Sequence, residues 1–332
     1  MTRSEPQPET IEKLFYQAFP SFALLAGMQL DLFTPLKDGS LSADQLADAL
    51  GVGSTKLELL LYALVGAKLL KVHGDLFSNT AESDHFLVQG RPAYIGHRHG
   101  SNATLYTNVL KTAESIRTGT AQSMADFSAI SRDRLESLSR NRHPDTLAAG
   151  RDLVARYDFS SYRRLLDVGG GTGGLSFAVI EACPHIVATV VELPLTIPIT
   201  RQYIDEAGAG GRVQVMEADA VDGALTGSFD VAVLRWLIQA LSAGQAGRVI
   251  KNVSQVIEPG GVIYILGHVI DDSWLTPQEM LGRNLNYLNT YDGGQAYSEG
   301  EHRGWLTAAG FEDIERVVLP NKESIIRARK PG

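Results

Sequence analysis

With a single cysteine, Cys183, this chain of 332 residues can form no internal disulfide and no cysteine-built zinc site. That side chain is expected to pack as a small apolar group near the end of a helix. Long apolar runs are missing too. None approaches the ~20 residues that cross a bilayer, and the opening stretch Met1 to Thr10 is polar and acidic rather than leader-like. A cytoplasmic protein with no membrane partner is expected. Positive charge is in deficit, with 30 Lys and Arg against 38 Asp and Glu and a net charge of −8. This balance argues against nonspecific binding to nucleic acid, which attracts basic surfaces. Tandem repeats and low-complexity segments are absent. What remains, 44% hydrophobic and 20% charged residues, is the composition of an ordinary globular protein long enough for two domains.

The first of these is helical. Leu14, Phe15, Phe19, Phe22, Leu25 and Leu32 recur at helical spacing, which predicts an apolar helix over 11–36. Ser42 suits the N-cap of a helix Ala43–Leu50 that Gly51 ends, and Ser54 starts another over Thr55–Ala67. Leu69–Val72 and Leu76–Ser78, joined through His73-Gly74-Asp75, read as a hairpin wing. A winged helix can bind DNA. Here, however, the presumed recognition helix carries Lys56 and Glu58 and then mostly Leu, Ala and Tyr, a face suited to protein rather than phosphate. Dimerisation or support of a substrate pocket is the expected role. Residues 92–158 should form two or three bridging helices, closing a first domain at 1–158.

From Tyr162 the pattern changes, and a second domain is expected over 159–332. Apolar strand candidates fall at 164–168, 188–193, 213–217, 229–235, 261–269, 312–319 and 323–329. The first five alternate with helical segments, which implies an α/β domain with a parallel, doubly wound sheet. Only Pro320-Asn321-Lys322-Glu323 separates the last two, so the sheet should close on an antiparallel hairpin.

The first of these strands ends in Leu165-Leu166-Asp167-Val168-Gly169-Gly170-Gly171-Thr172-Gly173, and the next closes on Val191-Glu192-Leu193. Gly169, Gly171 and Gly173 let the backbone pass close to a ligand, and the following helix offers amide donors. Glu192, about 20 residues beyond the loop, can accept both hydroxyls of a ribose. A strand-borne Asp167, alternating glycines and a strand-end Glu192 together favour S-adenosylmethionine over NAD, with its amino-acid end over the loop. Asp219 at the end of 213–219 is a candidate for the adenine amino group, beside Ala220. Arg235 and Trp236, ending the next strand, can border the adenine.

At this point the chain resembles the plant-type and polyketide O-methyltransferases, which carry an N-terminal winged-helix dimerisation domain. The resemblance runs from about residue 11 to the C-terminus and lies in Met28-Gln29-Leu30-Asp31-Leu32-Phe33, the glycine loop, Val191-Glu192-Leu193-Pro194, Leu234-Arg235-Trp236, Glu258-Pro259-Gly260-Gly261 and Ala308-Ala309-Gly310-Phe311. It implies a class I methyltransferase, Rossmann-like fold with a seven-stranded sheet, S-adenosylmethionine as cofactor with S-adenosylhomocysteine as product, and a homodimer through the N-terminal domain. One motif departs. Where the family has Lys-Trp-Ile-x-His-Asp-Trp, with the His as general base, this chain reads Arg235-Trp236-Leu237-Ile238-Gln239-Ala240-Leu241. The family's supporting Glu falls on Ala296, or on Glu299 if the loop slips. The ligands of the metal found in some relatives are lost with the His-Asp pair, so no metal is expected.

A phenol, with a pKa near ~10, needs a proton acceptor at neutral pH, and an amide such as Gln239 can only orient an acceptor. Either another residue serves, His268 at the end of the fifth strand being the candidate, or the acceptor needs no base. A thioether needs none, and catalysis would then rest on positioning and exclusion of water. In the family, the helix after the fifth strand lines the acceptor pocket. Here Met280, Arg283 or Asn284, Tyr287 and Tyr291 share one of its faces, and Arg283 with the tyrosines could hold a small carboxylate. Tyr106 is a further candidate for closing the pocket. These features are similar to the S-methyltransferases that act on 4-methylthio-2-hydroxybutyrate in dimethylsulfoniopropionate synthesis, so S-methylation of such a small-molecule acceptor is the leading expectation. O- or C-methylation of an aromatic secondary metabolite and a non-catalytic cofactor-binding regulator stand as alternatives.

Overall fold

Local chemistry fixes the N-terminal helices, and one proline corrects the expected long one. In the computed structural model, which describes residues 6–124 and 130–332, the segment 11–36 is broken into α1 (Glu9–Tyr16), α2 (Ala18–Gln29) and a 3-10 turn Pro35–Asp38. Pro20 has no N–H to give the Tyr16 carbonyl, and its ring crowds that carbonyl, so α1 cannot run on into α2. Ser42, beside the short strand β1 (Leu41–Ser42), caps α3 (Ala43–Leu50) through a reciprocal pair with Gln45, and Gly51 ends the helix at φ 68°. α4 (Ser54–Gly66) follows, then the wing β2 (Leu70–His73) and β3 (Leu76–Asn79), an antiparallel sheet completed by β1. Leu32, Phe33, Leu46, Leu61, Leu64 and Phe77 form the core beneath α5 (Ala81–Leu87). On α1 and the start of α2, by contrast, Ile11, Leu14, Phe15 and Phe19 are 60% to 74% exposed.

The chain divides into compact units Met1–Tyr106 and Thr107–Gly332, a boundary inside α6 (His99–Val109) rather than near 158. The helices α7 (Thr112–Thr118) and α8 (Arg132–Arg156) therefore count with the second unit. Gly150 shows why. A Cβ there would lie 2.7 Å from that of Ala178, so α8 lies directly on α9 (Gly174–Ala182).

The second unit is the expected α/β sheet. Its strands are β4 (Arg164–Val168), β5 (Val187–Glu192), β6 (Val213–Glu217), β7 (Phe229–Arg235) and β8 (Ile257–Gly267), all parallel. Between them run α9, α10 (Ile197–Glu206) and α11 (Ala243–Val256). A short parallel pair, β9 (Val269–Ile270) with β10 (Tyr297–Ser298), brackets α12 (Gln278–Thr290). After α13 (Glu299–Ala308), β11 (Glu312–Val318) and β12 (Ser324–Arg329) form the antiparallel hairpin, giving the order β11-β12-β8-β7-β4-β5-β6. Apolar layers cover both faces, one built on Leu153, Leu175 and Val179, the other on Val249, Val253 and Leu306. Ligands of such sheets bind beyond the carboxyl ends of the strands. Among the described residues no single helix is long and apolar enough to cross a membrane.

Candidate active site

Beyond the ends of β4 to β7 lies a cavity of about 510 Å³, within the range of small-molecule and cofactor sites. Its floor is the glycine loop. Gly169, Gly171 and Gly173 take φ values of 67°, 58° and 77°, a region costly for residues with a Cβ. A Cβ on Gly170 would stand 2.6 Å from the Asp167 carboxyl carbon, whereas one on Gly171 would meet nothing within 4 Å. Gly171 thus faces open space where a ligand can approach the backbone. Two side chains beyond the motif hold the loop: Thr200 donates to the Gly171 carbonyl at 2.6 Å, and His143 on α8 meets the Thr172 hydroxyl at 2.7 Å. Gly173 caps α9 and does not line the cavity.

Asp167 is 1% exposed and accepts from the Ser176 hydroxyl at 2.8 Å. Burial pushes its carboxyl up to about 6, against the Ser176 bond and with help from the neighbouring Glu192 charge. Glu192 ends β5 with each oxygen taking one backbone amide, Gly171 at 2.8 Å and Leu193 at 3.0 Å. Burial raises it as well, partly offset by those amides and by Thr196. Across the cavity Asp219 turns Oδ1 onto the amide of Val221 at 2.8 Å, the turn-forming use of a strand-end Asp, while still lining the wall beside Ala220. Arg235 lays its guanidinium 3.7 Å over the Trp236 ring and reaches Thr146 at 3.4 Å. Burial lowers the pKa of that guanidinium, against the raising influence of nearby carboxylates.

The residues fit a nucleoside cofactor. Glu192 presents carboxylate oxygens at the cavity wall that can accept further hydrogen bonds from a ligand's hydroxyls. Arg235 and Trp236 line the same wall, with Arg235 Nε and Trp236 Nε1 buried and without a hydrogen-bond partner among the described residues. Among the described residues no group of three or more His, Cys, Asp or Glu could hold a metal ion.

The acceptor candidates divide. Tyr291 lines the cavity; Met280, Arg283, Asn284 and Tyr287 do not. Met280 packs with Ile270 and Ala296, Asn284 accepts from the Ala296 amide at 2.6 Å, and Arg283 is exposed, with no ion pair to Glu279 among the described residues. Tyr106 packs its ring on Phe22 within the first unit. Gln239 is 6% exposed and lies against the chain at Gly267, where a Cβ would sit 2.9 Å from its Oε1. It too is absent from the cavity wall. His268, 7% exposed, stands immediately behind that wall, stacked on Trp236 with ring centroids 6.0 Å apart. Its Nδ1 meets the Tyr287 hydroxyl, and its Nε2 lies 3.6 Å from Glu323.

Sequence reasoning missed Glu323. The β12–β8 register pairs Ser324 with Gly267, so the residue before one strand meets the residue after the other. The short gap before the last strand was the available signal. Arg142 was missed as well. It lines the cavity from α8, its guanidinium without a hydrogen bond or ion pair among the described residues, and neither helical pattern nor motif marks it. His302, by contrast, gives Nδ1 to the Ser298 carbonyl at 2.9 Å and is driven down to about 4 by burial, a structural histidine.

Residues 103–312 match the model of the O-methyltransferase domain, and residues 13–89 that of the O-methyltransferase dimerisation domain. The chain is 28% identical over 316 residues to the 3-hydroxy-5-methyl-1-naphthoate 3-O-methyltransferase of Streptomyces sahachiroi, covering 92% of this chain and 91% of that protein. It is 27% identical over 330 residues to the tetracenomycin polyketide synthesis 8-O-methyl transferase TcmO of Streptomyces glaucescens, covering 98% and 97%. Among solved structures, human N-acetylserotonin methyltransferase in complex with SAM shares the fold at a TM-score of 0.84 and 22% identity, with all of both chains covered.

Proposed function

The chain belongs to the O-methyltransferase family and is a methyltransferase with S-adenosylmethionine as its cofactor, and from that premise we propose that it methylates a hydroxyl of a small aromatic acceptor of the polyketide or related secondary-metabolite kind. One observation carries the reading: beyond the expected cofactor residues the cavity wall is built largely of apolar and aromatic side chains, Leu135, Leu138, Leu241 and Tyr291, a lining suited to an aromatic acceptor. The relatives named for a hydroxynaphthoate and a tetracyclic polyketide point the same way. When bound, the cofactor supplies an electrophilic methyl group carried on a sulfonium.

The chain's own residues then have three tasks. Leu135, Leu138, Leu241 and Tyr291 exclude water from the reacting atoms. Arg142 and Arg235, without a carboxylate partner in ion-pair contact among the described residues, favour negative charge on an acceptor oxygen. His268 takes the proton that a phenol must lose. The thioether expectation drew its force from Gln239 standing where the family has a base. Because Gln239 packs against Gly267 outside the cavity wall, its identity says little about the acceptor, and the relatives lend sulfur chemistry no support. The matched dimerisation domain supports a homodimer.

Incubation with S-adenosylmethionine and either hydroxynaphthoates or 4-methylthio-2-hydroxybutyrate, with mass spectrometry of the products, tests the reading. An O-methyl arene is expected. A sulfonium product with no methylated hydroxyl would replace this reading by the thioether one.

A further inference from the structure

We propose that Tyr287, His268 and Glu323 form a proton relay behind the cavity wall, with Tyr287 receiving the acceptor's proton and Glu323 positioning and charge-balancing the imidazole. The inference rests on the hydroxyl-methylation reading above and supplies the base that the family motif lacks. It starts from how the imidazole is held. Unlike His302, whose Nδ1 serves a backbone carbonyl, His268 directs both ring nitrogens at titratable side chains, Tyr287 and, at 3.6 Å, Glu323. A hydroxyl donating to Nδ1 fixes the tautomer with its proton on Nε2, facing the carboxylate. Burying a carboxylate beside an imidazole is costly unless each supports the other. The turn is closed by the Glu323 carbonyl, which accepts from Leu319 at 2.7 Å, and by the Glu323 amide, which donates to Asn321 Oδ1 at 3.2 Å, so its closure does not require the carboxylate to face His268.

The neighbours put the relay one side chain behind the cavity lining, and the proposal requires the acceptor hydroxyl to reach Tyr287 beside Tyr291. Trp236, against His268, and Tyr291, 5.9 Å from Tyr287 by ring centroids, both line the cavity. Tyr287 retains 6% exposure. The other charges on the group are Arg235 from the end of β7, which acts on Glu323, and Arg283 and Arg142 from α12 and α8, which act on Tyr287. Burial works to raise the Glu323 carboxyl, but His268, Arg235 and Asn321 outweigh it and hold the carboxylate ionised.

The step balances. The acceptor O–H bond breaks and its proton passes to Tyr287 Oη, while the Tyr287 proton moves to His268 Nδ1. With the cofactor bound, the freed oxygen pair would form the O–CH3 bond with the methyl group it supplies, and the methyl–sulfur bonding pair would remain on sulfur. The imidazolium, paired with Glu323, returns its proton to solvent after product leaves.

The test is the pH profile of kcat on a methylated phenol for wild type, Glu323→Gln, Glu323→Asp, His268→Asn and Tyr287→Phe, beside a nitrophenol already ionised at the assay pH. Glu323→Gln should cut kcat about tenfold or more on the phenol and move the acid limb down by about one pH unit. The cofactor KM should stay unchanged, and Glu323→Asp should restore part of the loss. All variants should approach wild type on the ionised acceptor. If Glu323→Gln is unstable, the Glu323→Asp profile and the nitrophenol ratio of His268→Asn decide. Unmoved limbs, or equal losses on both acceptors, would overturn the relay while leaving hydroxyl methylation in place. A wild type that methylates no hydroxyl would fail at the earlier reading instead.

Discussion

Glu192→Gln tests the proposed ribose contact. In the wild type the two carboxylate oxygens take the amides of Gly171 and Leu193 at 2.8 and 3.0 Å, with acceptor capacity remaining for ribose hydroxyls. The amide of glutamine keeps one such oxygen. Its NH2 must face a backbone N–H, so one loop bond is lost, one donor is opposed by another donor, and both ribose bonds lose a charged acceptor. Hydrogen bonds to charged groups contribute about 1.5–3 kcal/mol each. With some of that recovered by reorientation and water, a net loss of about 2–3 kcal/mol is expected, or roughly 30- to 150-fold in Kd. Titration calorimetry with S-adenosylhomocysteine reads it without turnover. The pH dependence gives a second check. Burial raises Glu192, so wild-type affinity should weaken with falling pH while ordinary carboxylates are still ionised, and the variant should lack that dependence. A Kd within threefold of wild type in a protein of unchanged melting temperature would refute the assignment of Glu192 to the ribose.

Two further outcomes follow, one from a buried carboxyl and one from exposed aromatic rings. Asp167 has a folded-state pKa of about 6 against an ordinary 3.8, so the native state holds a proton that the unfolded chain releases between those values. Stability from this group is therefore full below about pH 4 and falls as pH rises through 6, by roughly 3 kcal/mol. Urea denaturation without cofactor should show Asp167→Asn gaining on wild type by that order between pH 4 and pH 7.5, and parallel pH dependence in both proteins would show that the carboxyl is not perturbed. On α1 and α2, Phe15 and Phe19 are 74% and 63% exposed in a unit that matches a dimerisation domain. Replacing both by Glu should convert a dimer to a monomer in light scattering, and an unchanged mass would place the dimer contact elsewhere.

Much of the fold was readable because the signals were local. Ser42, Gln45 and Gly51 specify a helix within ten residues of one another, and the run from Leu165 to Gly173 specifies a strand, a turn and a helix start. What escaped depended on packing or on a single steric fact. Pro20 split the first helix against its apolar periodicity. Gly150, unremarkable as a helical glycine, lets α8 settle on α9 and draws the bridging helices into the second unit. A domain boundary is a property of which surfaces touch, and only the composition of those surfaces is written along the chain.

The site divides the same way. The cofactor half sits on strand ends and one loop, so its order in sequence is nearly its order in space, and nine of the ten expected cofactor residues line the cavity. The proposed acceptor half would draw on α8, the end of β7, α12 and the β11–β12 turn, segments far apart in the chain. A motif comparison asks what stands at one position. It found Gln239 where a histidine was expected and inferred an acceptor needing no base. The space offers a different solution. Gly267 lets Gln239 fold inward against the strand end, and the next residue, His268, meets a tyrosine from α12 and a carboxylate that the antiparallel last strand delivers to the same end of the sheet. If the relay proposed above acts, a function lost at one position reappears at another that the sheet register brings alongside it, and the absence of one motif residue is then weak grounds for excluding the chemistry it performs.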